Sequence, residues 1–364
     1  MVLNAQEKQN LAKRMRFPSI DILRITAIIM VVSWHTGWGW QNVRVSSFLL
    51  NHVPLLIALS FFLSNELIEL TSFKNMVAFA AKRCVRIFRL YFFWLLLWTV
   101  CLGPTKDGSL LVLLLTGRGA LYFLPLLAYL VICYAFIRLI AALVSPRRGI
   151  FYILALGAFT ALIYAVLKGG LRQHLHSLHP EAQLFVSRLI ILSPFALLGL
   201  MMRGYYDFIR KSFFWADFTR PLFASGSMRT VIPGAIRWII VIGAVIAAFW
   251  LGFLNETVAL GMLGAHGVDY MGLLRIASVF LLFYAGLALE DWFRSRERFC
   301  RVAAACARIT PGVFCIHTII WQWLNGAFGL PRDGSWLTVL TLVLSFGLAA
   351  VISRLGKVGE MAVT

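Results

Sequence analysis

Ser19–Gly39 reads SIDILRITAIIMVVSWHTGWG, a run long enough to cross a bilayer that nevertheless carries an acid, a base and a histidine. At about 100° per residue, Arg24 and His35 lie three turns and about 20° apart, so they share one helix face. Asp21 sits a turn before Arg24 on roughly the same side. A charge at the bilayer centre costs about 2.5 to 3.5 kcal/mol, so a helix with three ionisable groups along one stripe must turn that stripe toward protein or water. Asp21, Arg24 and His35 are therefore candidate catalytic residues. A second reading stands beside this one: an Asp21–Arg24 ion pair at the helix mouth, and a packed His35 bonded to a neighbouring carbonyl.

The rest of the chain shares this character. Its 364 residues are 60% hydrophobic and only 13% charged, too apolar for a soluble domain. Apolar runs of about 20 residues give ten expected spans, near 19–40, 47–68, 86–103, 120–143, 150–168, 185–202, 236–254, 271–290, 309–325 and 336–354. Ser109–Thr116 is too short to cross and reads as an interfacial or re-entrant piece. The expected fold is an all-α polytopic membrane protein of about ten transmembrane helices.

Charge gives that fold an orientation. Of the 34 Lys and Arg, 25 fall on the amino terminus, the even-numbered loops and the carboxyl tail, against 7 on the opposite side, with Arg24 and Arg275 inside spans. Cytoplasmic loops are enriched in Lys and Arg, so both termini are expected in the cytoplasm. The net charge of +19 is then a topology signal and an attraction to anionic headgroups, not a nucleic-acid surface. The expected organisation is a basic cytoplasmic amino terminus over 1–18, one ten-helix membrane domain over 19–354 and a cytoplasmic tail over 355–364. Within the domain, 203–235 forms a cytoplasmic loop whose FIRKSFFWADF segment suits the bilayer surface. No cleavable signal peptide is expected, because the first apolar segment is long enough to remain as an anchor. The six cysteines show no close metal-type pairing.

Further along, SFFLSNELIEL ends the second span with Ser64, Asn65, Glu66 and Glu69, read either as a solvated helix end or as polar groups facing an opening beside Asp21. AAKRCVRIFRLYFFW then sets Arg83, Arg86 and Arg89 three residues apart, on a broad shared side, followed by Tyr91 and Trp94. Positive-inside topology accounts for some basic residues here. Guanidinium groups at regular spacing beside aromatic rings also suit a phosphate-bearing ligand. Pro125 is expected to bend the fourth span, which begins near Tyr122. His174, His176 and His179 lack thiolate partners and read as an outer loop rather than a metal site. Arg188 at the outer boundary is a candidate contact, and His317 in PGVFCIHTIIWQW is read as either structural or functional.

Taken in order, SIDILRITAIIMVVSWHT, SFFLSNELI, KRCVRIFRLYFFW, LYFLPLLAYLVICY and FCIHTIIW resemble the motifs of the acyltransferase-3 family of integral membrane O-acyltransferases. The most specific part is Arg24, ten residues and then His35, supported by Arg83-x-x-Arg86. The chain departs from the pattern at Asn65 (usually Gly), Tyr122 (usually Trp) and Arg89 (usually Pro). The resemblance implies a stand-alone, multi-pass enzyme of the bacterial inner membrane, similar to those that O-acetylate exopolysaccharide or O-antigen. It implies acetyl-CoA as the donor and co-substrate, a glycan or lipid-linked saccharide as the acceptor, and no metal. Arg83, Arg86, Arg89 and Tyr91 are then expected at the donor, and Arg188, Tyr122, Glu66 and His317 at the acceptor. A transporter or flippase of a lipid-linked sugar, or a non-catalytic part of a polysaccharide assembly complex, is the alternative. The oligomeric state and the acyl group are left open.

Overall fold

Proline, glycine and buried polar side chains set where the helices start, break and meet. The computed structural model describes residues 17–64, 67, 72–102, 119–144, 148–167, 180–206, 231–263, 273–331, 334–356, 359 and 362. The expected interfacial piece at 109–116, the 207–230 part of the long loop, the histidines at 174, 176 and 179, and Asn65, Glu66, Glu69 and Asp269 lie outside these residues.

Helix α1 (Pro18–His35) starts with proline, whose missing N–H costs nothing in a first turn. It ends where the Thr36 hydroxyl bonds back to the Val32 carbonyl at 2.9 Å, after which Gly37 and Gly39 turn the chain at φ 82°. Helices α2 (Val43–Leu49) and α3 (His52–Phe62) together form the second span, broken at Leu50–Asn51. Helix α4 (Phe73–Leu102) follows, then a 3-10 turn (Gly119–Tyr122), α5 (Phe123–Val144), α6 (Arg148–Leu167) and α7 (Pro180–Gly204). The chain closes with α8 (Val231–Leu263), α9 (Leu273–Ala288), α10 (Glu290–Arg294), α11 (Glu297–Phe328) and α12 (Ser335–Ile352).

The chain is an all-α polytopic membrane protein. Among the described residues there is no strand, and eight helices are long and apolar enough to cross a membrane, with α2 and α3 counted as one. Two shorter apolar helices, Gly149–Ala161 and Leu273–Ala288, fall where the fifth and eighth spans are expected. Large apolar side chains such as Leu96, Val100, Leu143 and Ile153 stand exposed on the outside, as a lipid-facing surface requires. Several helices outrun their apolar windows. Helix α4 begins at Phe73 rather than near 86, so Lys82–Arg89 sit inside it instead of in a loop before it.

Helix α1 is the axis of the bundle, packing against α11, α3, α9, α10, α12 and α2. Its first turn is anchored by a residue far away in sequence. Buried Glu290 accepts the Ser19 N–H at 3.0 Å and the Arg294 Nε–H at 2.6 Å, placing a carboxylate at the positive end of the α1 dipole. Desolvation opposes the charge on Arg294, but the hydrogen bond and charge of Glu290, with the smaller effects of Tyr206 and Asp291, together hold the guanidinium pKa above its ordinary value. Prolines inside two helices each free a carbonyl four residues back, and the hydroxyl beside each takes it up. Thr310 before Pro311 bonds the Ala307 carbonyl at 2.8 Å, and Ser193 before Pro194 bonds that of Ile190 at 3.0 Å. Pro125, by contrast, lies in the first turn of α5, where it displaces no helical bond. The bend expected in this span is therefore not imposed by that residue.

Two other expectations change. Arg138, counted above with a basic loop, is buried within α5, with its guanidinium 6.0 Å from the Phe151 ring. Within the expected tail, Ala362 is buried, and its carbonyl accepts the Trp94 indole N–H at 2.7 Å.

Candidate active site

A cavity of about 260 Å³ opens among α1, α3, α4, α5 and α11. Arg24, Arg83 and Arg86 line one part of it, together with Ser60, Ser64 and Thr310. Ile28, Leu90, Phe123, Leu127, Val131 and Phe314 supply apolar wall. The Arg83–Leu90 face arises from helical periodicity: positions 83, 86, 87 and 90 recur every three or four residues and so form one stripe. Arg83 is set by its reach to the Leu63 carbonyl at 3.4 Å and by the Phe79 ring, 5.7 Å from the guanidinium carbon.

The polar groups of this cavity are asymmetric. The Ser60, Ser64 and Thr310 hydroxyls each donate to a carbonyl of their own helix, at 2.8 Å in every case, so their oxygens face the space mainly as acceptors. Among the described residues, none that lines it is acidic. Three guanidinium groups around an apolar-walled space suit a polyanionic head joined to a less polar arm.

Phe314 joins the cavity to a cluster of imidazoles. Its ring packs 5.1 Å from Phe123 and 5.9 Å from His317, one turn farther along α11. The His317 ring lies 5.0 Å from that of His35 on α1. His317 is fully buried, with Nδ1 2.6 Å from the Phe314 carbonyl and Nε2 3.3 Å from the Thr318 hydroxyl, whereas His35 is half-buried. From Arg24 to His35, α1 rises about 16 Å on a single face, with Ile28 between them on the cavity wall. Helix α1 thus carries Arg24 at the basic pocket and, about a bilayer half-thickness away, His35, where it meets His317 of α11.

The other sequence-derived candidates divide. Arg188 stacks on Tyr122, its guanidinium carbon 3.9 Å from the ring centroid, so two of the expected acceptor contacts meet next to Phe123. Asp21 is half-buried in the first turn of α1 and does not line the cavity. Arg89 is exposed, and Tyr91 is buried in the core beside Phe88 and Phe92. Both lie about 100° around α4 from Leu90, which carries them off the cavity stripe. Glu66 is not among the described residues. Among the described residues, no group of three His, Cys, Asp or Glu side chains is arranged to hold a metal ion.

Sequence reasoning missed His52, the first residue of α3. It is buried, its ring lies 6.3 Å from that of Trp34, and its Nδ1 lies 2.6 Å from the Leu49 carbonyl. The signal available was the polar pair Asn51-His52 inside an otherwise apolar run two residues before Pro54.

The family model described as an acyltransferase domain, that of acyltransferase-3, matches residues 17–354. The chain belongs to the acyltransferase-3 family. It is therefore a membrane acyltransferase, and the matched segment begins and ends with the helical bundle itself. No curated protein and no solved structure matches it.

Proposed function

We propose that this acyltransferase-3 protein moves an acyl group, most simply acetyl from acetyl-CoA, across the bilayer to a hydroxyl of a cell-surface or lipid-linked saccharide. The observation that carries the reading is that α1 runs from a three-arginine cavity, which its Arg24 lines, to the His35–His317 pair. The basic end faces the cytoplasm of a bacterial inner membrane, where Lys and Arg accumulate and the CoA thioester is made. Arg83 and Arg86, with Arg24, hold the phosphates through charge-assisted hydrogen bonds. The pantetheine-like arm follows the apolar wall past Ile28 and Phe314 toward His35.

At that end, neutral His35 acts as a general base. The acceptor oxygen bonds to the acyl carbon and the carbon–sulfur bond breaks. The hydroxyl proton passes to the imidazole and from there to the departing thiolate. An acyl-His35 intermediate would divide the same transfer in two, water being excluded from the thioester either way. The stacked Arg188–Tyr122 pair offers a flat surface and a cation to an acidic or neutral sugar.

The test compares surface glycans by mass spectrometry, with and without the protein, in cells carrying wild type, His35→Ala or Arg83→Ala/Arg86→Ala. Loss of acyl groups from glycan that is still exported supports the enzyme. Lost export at unchanged protein level supports a transporter instead. In CoA binding by calorimetry, the double Arg variant is expected to weaken affinity about 100-fold or more, at about 1.5 to 3 kcal/mol per charged hydrogen bond. His35→Ala is expected to leave that affinity within about 2-fold, since His35 lies beyond the phosphates.

A further inference from the structure

The break in the second span is built, and what it presents is a third imidazole. Pro54 has no N–H for the Leu50 carbonyl, and the Asn51 N–H turns back to Phe48 at 3.1 Å. That releases the Ser47 carbonyl, which accepts from Arg275 Nη1 of α9. Arg275 is completely buried and pairs through Nη2 with Glu256 of α8 at 3.3 Å, while Nη1 also reaches Asn51 Oδ1 at 3.4 Å. Asn51 Nδ2 donates to Ser278 at 3.0 Å, and the Ser278 hydroxyl donates to the Ala248 carbonyl at 2.7 Å. Two further helices thus clamp the break with buried polar bonds. Buried polar groups are costly in a membrane protein and mark a functional position by default.

The residue this clamp fixes is His52. A carbonyl can only accept, so the ring nitrogen 2.6 Å from the Leu49 carbonyl is Nδ1–H; burial favours the neutral ring, in which Nε2 keeps its lone pair. His317 has the same arrangement with the carbonyl three residues before it, also at 2.6 Å. Two helices therefore present neutral imidazoles of one tautomer. Both flank the end of α1: His317 against the His35 ring at 5.0 Å, and His52 against the ring of the adjacent Trp34 at 6.3 Å.

We propose that His52 is a positioning residue for acyl transfer. Its fixed Nε2 lone pair orients the His35 imidazole, against which the His317 ring packs, and stabilises the imidazolium formed when His35 takes the acceptor proton. The proton stays on His35 until the thiolate takes it, so His52 changes neither charge nor bonding in the cycle. Charged groups facing the cluster are Arg275 and its partner Glu256, which keep the clamp nearly neutral overall. The inference rests on the reading of His35 as the base.

The experiment uses the full chain in membranes with acetyl-CoA as the probe, following release of the CoA thiol as its concentration is varied. His52→Phe is expected to lower kcat by about 10- to 100-fold, the worth of one hydrogen bond to a charged group. KM for acetyl-CoA should stay within about 2-fold, because the arginines are untouched. His52→Gln, which restores an acceptor near Nε2, should recover most of the loss. Should the Phe variant fail to accumulate, His52→Gln against His52→Met gives the same contrast, with only the first keeping an acceptor. Wild-type kcat in His52→Phe or Met, or equal losses with and without the acceptor, would overturn the inference and leave the base assignment standing. Undiminished thiol release in His35→Ala would instead overturn the base assignment itself.

Discussion

At the scale of single residues, the site depends on side chains whose partners lie far along the chain. His35 finds His317 on α11, and Ser19 finds Glu290 on α10. Glu290 also shows how much one buried carboxylate supports, since it serves the first turn of α1 and Arg294 together. Glu290→Ala is expected to cost about 1 to 3 kcal/mol, toward the lower end because Arg294 is partly solvated. Glu290→Gln should cost less, because an amide oxygen still accepts one of the two donors. Thermal unfolding of the detergent-solubilised protein reads both; equal midpoints for Glu290→Ala and wild type would show that the contact contributes nothing.

At the scale of helices, close approach is as decisive as hydrophobicity. Gly199 of α7 lies against the Ala58 carbonyl of α3, and an added Cβ would fall well inside contact distance of that oxygen. Gly199→Ala should therefore push the two helices apart and cost at least about 1 to 3 kcal/mol. Gly243→Ala is the control. Nothing lies within 4 Å of its would-be Cβ, so that change should be neutral or stabilising by up to about 1 kcal/mol. Similar unfolding midpoints for the two variants would contradict this account of the α3–α7 contact.

Helices also show what a sequence can and cannot disclose. Ten apolar windows were legible because the bilayer imposes a length, and eight long helices and two shorter ones occupy them. True helix ends were not, since α4 continues through a charged turn that hydropathy scores as loop. Spacings of three placed Arg83, Arg86 and Arg89 on one broad side; Arg83 and Arg86 line the cavity, whereas the 3.6-residue period turns Arg89, and the Tyr91 that follows it, away from that stripe. The meeting of His35 with His317 was hidden for another reason: which helices become neighbours is decided by packing, not by any local pattern. His52 was concealed by its apolar surroundings, and its role emerges only once Arg275 and Ser278 are seen to hold the break.

At the scale of the whole molecule, charge and apolar surface are separated to suit two environments. Lipid-facing side chains surround a bundle whose cavity concentrates three guanidinium groups. Half-buried Arg24 and Arg83 and exposed Arg86 attract phosphate more strongly at low ionic strength, with screening incomplete at the buried positions. CoA binding should thus weaken roughly several-fold between low and high salt, whereas adenosine, which lacks phosphate, should bind weakly and without that dependence. Calorimetry on the solubilised protein distinguishes the two; salt-independent CoA binding would mean that the arginines do not hold its phosphates.

The Ser19–Glu290 bond joins residues 271 positions apart. A ribosome releases α1 into the lipid long before it translates the carboxylate that secures its first turn. The axis of the bundle must wait, inserted but unlatched, until most of the polypeptide has followed it. Biogenesis of this protein is accordingly back-loaded: its earliest segment is among the last to reach a settled position, and nascent chains halted before α10 would lack the latch altogether.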